Sequence, residues 1–174
     1  MNSFYDRFLS LTKAIFEVRD GNVHGKVDMQ KTFYFAKELG VPVPFNFRWG
    51  KLGPFSYELS NVFDSITRQG LIQYDGSYRY DERNFMYIEE TDIPTIVSRF
   101  YYDIDDICED NGYNRINFIE CLASLHFLYK YSMMPDREAT FSRLRSLKEN
   151  RMNLLNHLMM PAWQFLLDHN LLER

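Results

Sequence analysis

Cysteine is nearly absent from this chain: Cys108 and Cys121 are its two thiols, thirteen positions apart. That excludes a disulfide-built scaffold and leaves no second pair for a four-ligand zinc site. Both cysteines fall in apolar helical patterns and are expected as buried free thiols, which fits the cytoplasm. Glycine and proline are sparse, at 8 and 6 of 174 residues, which excludes collagen-like and low-complexity chains. No charge dominates either. The net charge of −4 does not advertise a phosphate-binding surface, although a local basic patch would escape this count. Long apolar runs are missing too. The most apolar tract, Leu154 to Leu167, is broken by Asn156, His157, Pro161 and Gln164, so no membrane span is expected. The opening residues Met1 to Arg7 carry an early acid and no signal-like apolar run, and the expected localisation is cytoplasmic.

What the chain does have is aromatic side chains, 17% of its residues, within a hydrophobic share of 45%. A chain of this length buries about 70% of its unfolded surface and needs no metal or crosslink to hold a core.

The pattern of apolar residues is mostly helical. Phe4, Phe8, Leu11, Ile15 and Val18 recur at steps of three and four, and Asp20-Gly21-Asn22 closes that helix. Asp28 is placed to cap a second helix carrying Met29, Phe33, Ala36 and Leu39, which Gly40 and Pro42 end. Residues 42–50 read as an extended arm. Gly53-Pro54 is expected to open a third helix with the stripe Phe55, Leu59, Val62, Phe63 and Ile66, stopped by Gly70. Leu71 to Tyr74 and Asn84 to Glu89 read as the strands of a β-hairpin whose polar tip begins at Asp75-Gly76.

Further helices follow from Thr91-Asp92 to Gly112, after an Asn114 cap, after Pro135-Asp136, and over 151–169 with a kink or restart at Pro161. The one carrying Phe118, Ile119, Leu122, Leu125, Phe127, Leu128 and Tyr129 is apolar nearly all round and is expected in the middle of a core. The fold class is therefore mainly α. A winged-helix-like N-terminal lobe with a small β-hairpin (residues 1–90) is fused to a C-terminal helical lobe (91–174), both sharing one core.

Chemistry-bearing motifs are scarce. His24, His126, His157 and His169 include no pair at metal-ligand spacing. The loop at His24 lacks a P-loop pattern, and His126 reads as a hydrogen-bonded core residue. No nucleophile motif is present. Asp103, Asp106 and Asp110 share one helical face, with Asp105 and Glu109 beside them. Such a face could hold a divalent ion or do acid–base work, but without histidine or a ligand loop it reads as solvated. A middle reading docks it against Arg137, Arg143, Arg145, Lys148 and Arg151. No cofactor is implied.

In a winged helix the third helix enters the major groove of DNA. Here that helix would present Tyr57, Glu58, Asn61, Asp64, Ser65 and Arg68. Two acids against one base complement phosphate poorly. Asn61 and Arg68 are suited to reading bases, with Arg48, Lys51, Arg79 and Arg83 flanking, but Asp64, Asp75, Asp81 and Glu82 share the neighbourhood. Trp49, Tyr57, Tyr74, Tyr78 and Tyr80 concentrate on the arm, helix and hairpin, and tyrosine and tryptophan near arginine suit a protein interface. The expected binding surface is Arg48, Trp49, Lys51, Tyr57, Asn61, Arg68, Tyr78, Arg79, Tyr80 and Arg83.

The segment Met29-Gln30-Lys31-Thr32-Phe33-Tyr34-Phe35-Ala36 resembles the L-Q-K-L-L-Y-F-A element of the Panacea antitoxin domain, and more closely the YwgA-like proteins of bacteria. Gly53-Pro54-Phe55-Ser56-Tyr57-Glu58-Leu59 is similar to their G-P-Y-S-x-E-L helix start, with an aromatic arm like Phe45 to Lys51 before it. Gly70-Leu71-Ile72 and Ala123 to Leu128 also fit. Thr32-Phe33 departs from the usual paired leucines, and Gly50-Lys51-Leu52 lengthens the arm. The resemblance implies a helical, winged-helix-like protein acting as an antitoxin or proteolytic adaptor, and it transfers no catalytic residue.

The expectation is a non-enzymatic regulatory or interaction protein that binds a protein partner through arm, third helix and hairpin. The alternatives are a winged-helix DNA-binding regulator and a metal-dependent enzyme using the acidic helix 103–110. The sequence leaves the oligomeric state open.

Overall fold

The first helix follows directly from the spacing of its apolar residues. In the computed structural model, which describes residues 4–89 and 91–173, α1 (Phe4–Glu17) buries Phe8, Leu11 and Ile15. It ends where Asp20 and Gly21 turn left-handed and the Gly21 N–H reaches the Phe16 carbonyl at 2.7 Å.

The chain then runs through β1 (Asn22–Val23), α2 (Gly25–Glu38), β2 (Arg48–Gly50), β3 (Gly53–Phe55), α3 (Tyr57–Arg68), β4 (Ile72–Tyr74) and β5 (Tyr78–Tyr80). After them come α4 (Glu82–Phe85), α5 (Thr95–Asn111), α6 (Arg115–Lys130) and α7 (Arg137–Leu147). A 3-10 turn, α8 (Met152–Leu155), a second 3-10 turn and α9 (Met159–Asp168) complete the order. The protein is mainly helical with two small antiparallel β-hairpins.

The chain divides into two compact units, residues 1–46 with 56–102, and residues 47–55 with 103–174. The division differs from a cut at residue 90: the hairpin β2–β3 groups with the C-terminal helices, and the boundary falls inside α5.

The first unit has a winged-helix connectivity. β1, between α1 and α2, pairs antiparallel with β5, and β5 with β4, giving the order β1-β5-β4. Phe63 of α3 is its packing centre. Its ring meets Phe8 at 5.9 Å, Phe33 at 5.4 Å and Tyr78 at 5.1 Å, all edge-on. Each such pair adds about 0.5–1.5 kcal/mol beyond the area it buries.

A buried polar network joins the end of α1 to the start of α2. The buried Asp28 carboxylate accepts from Arg19 at 3.2 Å, from the Thr32 hydroxyl and from the His24 N–H at 2.8 Å. Asp28 is therefore not the N-cap of α2 but a residue of its first turn reaching back, and the helix starts earlier, at Gly25.

Two hairpin expectations are corrected. Gly53-Pro54 does not open α3. Arg48 pairs with Phe55 and Trp49 with Pro54, so these residues form a hairpin and Ser56 becomes the cap. The return strand of the wing is Tyr78–Tyr80 rather than Asn84–Glu89. Gly76 at φ +100 turns the chain back at once, pairing Tyr74 with Tyr78, and the Asp81 carboxylate then caps α4 through the Arg83 N–H.

In the second unit α6 is buried on nearly every face, from Phe118 to Leu128. Asn114 and Asp136 cap α6 and α7 through the N–H groups of Asn117 and Ala139. Trp163 of α9 meets Tyr129 and Phe141 edge-on. The helical break expected at Pro161 comes earlier, at Asn156–Leu158. Pro161 sits in the first turn of α9, where no N–H is needed, and its ring forbids an α-helical carbonyl four residues back.

Candidate protein-interaction surface

Helix α3 is fixed from below and at its start. Leu59, Phe63 and Ile66 are fully buried. The Ser56 hydroxyl accepts from the Leu59 N–H at 3.2 Å, the N-cap bond. The Gln30 side chain of α2 grips the same peptide from both sides, donating to the Ser56 carbonyl and accepting from the Ser56 N–H, each at 2.9 Å.

This anchoring leaves Tyr57, Glu58, Asn61, Asp64 and Arg68 exposed along the outer face. Tyr57 is 75% exposed, a large aromatic ring at the first position of a well-capped helix.

The cations around α3 are paired. Arg79 meets Asp75 at 3.1 Å on the wing, Arg83 closes on Asp81 at 2.7 Å, and Lys26 of α2 faces Asp64 at 3.6 Å. Arg83 donates to both Asp81 oxygens and so holds that carboxyl below its ordinary range. The Arg68 guanidinium turns back along its own helix to the Asp64 carbonyl at 3.2 Å.

The expected binding surface is redistributed. Tyr57, Asn61 and Arg68 share the face of α3, and Arg79 and Arg83 stand exposed on the wing side of the same unit. Tyr78 is withdrawn: at 2% exposure it packs against Phe63, and burial, with smaller contributions from Tyr74 and Asp64, pushes its hydroxyl up to about 12. Period two explains this, because the strand that turns Arg79 outward turns Tyr78 inward. Tyr80 is half-buried between Phe16 and Phe85, and burial raises its pKa as well. Arg48, Trp49 and Lys51 belong to the second unit. There Arg48 and Lys51 are exposed, and the half-buried Trp49 ring lies 5.9 Å from Phe127 with the Lys148 ammonium 5.8 Å from its centre.

The acidic face of α5 is partly spent on neighbours. Asp103 lies 3.1 Å from the His169 imidazole, and Asp105 pairs with Arg115. Four of the five basic residues expected to dock on it go elsewhere: Lys148 and Arg151 to Glu120, Arg137 to Glu138, and Arg145 to Asn156. Among the described residues no group of three His, Cys, Asp or Glu side chains is placed to hold a metal ion, and no helix is long and apolar enough to cross a membrane. His126 is fully buried.

The buried ionic cluster around Glu120 is what sequence reading missed. One signal was available: Glu120 interrupts an otherwise apolar run, Phe118-Ile119-Glu120-Cys121-Leu122, on a helix with no solvent face.

Compared with known proteins, the chain matches no family model and no curated protein. The surface of α3 and the wing must therefore be read from its own chemistry.

Proposed function

We propose that this protein is a non-enzymatic regulatory or interaction module that docks a protein partner on the outer face of α3 and the adjoining wing. The carrying observation is the combination of an exposed Tyr57 with a charge-neutralised surround. Arg79, Arg83 and Lys26 each face a carboxylate within 4 Å, so the face offers an aromatic anchor and a mixed polar rim rather than a positive stripe. That composition suits a protein interface.

Antitoxin- or adaptor-like action, carried by the resemblance at Met29–Ala36 and Gly53–Leu59, is the form of regulation this reading favours. DNA binding is the second reading, and the winged-helix connectivity of the first unit is the observation in its favour. A duplex partner would require Arg79 and Arg83 to leave Asp75 and Asp81 for phosphate.

Affinity capture from native cells, with wild type beside Tyr57→Ala, tests the proposal. It expects a protein held by wild type and lost by the variant after nuclease treatment. Capture that nuclease abolishes, or that the variant retains in full, overturns it.

A further inference from the structure

The hairpin β2–β3 of the second unit leaves one edge of its sheet unused. β3 lies against α6, while β2 pairs with β3 and with no other strand among the described residues. Facing residues of an antiparallel pair alternate between hydrogen-bonded and non-bonded positions. Gly50 and Gly53 close the turn at a bonded position, so Trp49 and Pro54 occupy the next, non-bonded one. Proline fits there because it has no N–H to give. The Trp49 N–H and carbonyl therefore point away from β3, and neither is hydrogen-bonded among the described residues. Such a donor and acceptor on an edge form a template for one more strand.

The side chains decide which strand fits. The Trp49 ring turns toward α6, 5.9 Å from Phe127 and 5.8 Å from the Lys148 ammonium. Period two puts Arg48 on the opposite face, and Lys51 stands in the turn. Both cations are exposed, and neither meets a carboxylate among the described residues. Residues 39–57 contain no acid at all. Behind Trp49, Lys148 and Arg151 share the single carboxylate of Glu120. Counting exposed Glu149, the chain neighbour of Lys148, against these cations still leaves the surround positive. A second copy of this chain, pairing β2 with β2, would set Arg48 and Lys51 beside like charges.

We infer that β2 receives an extended segment of a protein partner in which acidic residues flank an apolar one. The apolar residue pairs with the Trp49 main chain and lays its side chain beside the indole. Its acidic neighbours fall on the face of Arg48, with Lys51 at the end of the strand. The site uses no residue of α3 or the wing, so it stands or falls independently of that surface.

Amide NMR spectra of the full chain, titrated with the peptide acetyl-Ala-Glu-Val-Glu-Ala-amide, test it. Saturable shifts are expected at Arg48, Trp49 and Gly50, with the Trp49 amide proton moving downfield as it gains a bond. The peptide with lysine in place of glutamate is expected to give no saturable shift. Methylating the valine nitrogen removes one main-chain bond and should weaken binding about fivefold. Arg48→Gln combined with Lys51→Gln should weaken it by a similar factor at unchanged thermal stability. Tyr57→Ala should leave it unaltered. The inference is overturned if the lysine peptide binds as well as the glutamate one, or if N-methylation or the double substitution costs nothing. Shifts that centre on α3 or the wing, or that never saturate, overturn it too.

Discussion

Lys148 donates to Glu120 across 2.6 Å with both side chains withdrawn from water, at 1% and 0% exposure, while Arg151 closes on the second Glu120 oxygen. Removing one partner of such a pair leaves a buried charge unanswered, which costs about 3–5 kcal/mol. Glu120→Gln is expected to lose stability on that scale in urea unfolding. Arg151→Gln, at the partly exposed end of the cluster, should lose clearly less. Equal losses would mean that burial is not what makes the carboxylate critical.

Alkaline pH should destabilise the protein. Burial pushes the Cys108 thiol up to about 11 from its ordinary 9.0, and the Tyr78 hydroxyl up to about 12 from 10.0; the Cys121 thiol is raised as well, again by burial. Above pH 9 the folded chain keeps protons that the unfolded chain releases, so this stability is complete below that pH and is lost as pH rises through the folded values. Lys148 acts in the opposite sense. Burial lowers its pKa below the ordinary 10.5, so the cost of its charge disappears as pH climbs toward that value. Tyr5 and Tyr80 are raised by burial too, so five raised acids stand against one lowered base and a net decline is expected between about pH 9 and 11. Thermal midpoints measured across that range check the sign, and in Tyr78→Phe the decline above pH 10 should be shallower.

The tyrosines separate into anchors of the core and anchors of the surface, and mutation should tell them apart. Tyr78→Ala removes a buried ring beside Phe63 and is expected to cost about 3–5 kcal/mol. Tyr57→Ala should stay within about 0.5 kcal/mol of wild type, as exposed substitutions do. Chemical denaturation of the two variants side by side gives the comparison.

Gln30 should matter more than its polarity suggests. Gln30→Ala strips both partners from the Ser56 peptide inside the protein, at about 1–3 kcal/mol for each orphaned group. Ser56→Ala, which removes only the cap, should cost about 1 kcal/mol. Amide exchange at Leu59 is expected to quicken in both.

Much of this architecture was legible in the sequence, and the rest failed for identifiable reasons. The stripe Leu59, Phe63, Ile66 gave α3, and Gly40, Gly70 and Gly112 marked helix ends, because a left-handed residue after a helix favours glycine. Pro54 misled, since proline suits both a first helical turn and a short strand, and only the pairing of Trp49 with Pro54 decides between them. Within the candidate surface, Tyr57, Asn61 and Arg68 followed from helical period. Tyr78 did not, because its face depended on where the Asp75-Gly76 turn placed the return strand. The pairings of Arg79 with Asp75 and Arg83 with Asp81 were visible only as mixed charge.

The central claim is that the outer face of α3 touches a protein. A photoreactive phenylalanine analogue placed in native cells at Tyr57, at Arg68 and, as a control, at exposed Asn150 beyond α7 tests this most directly. The account predicts one protein crosslinked from Tyr57 and Arg68 and absent from Asn150. Crosslinks to nucleic acid from the α3 positions, or the same yield from all three sites, would contradict it.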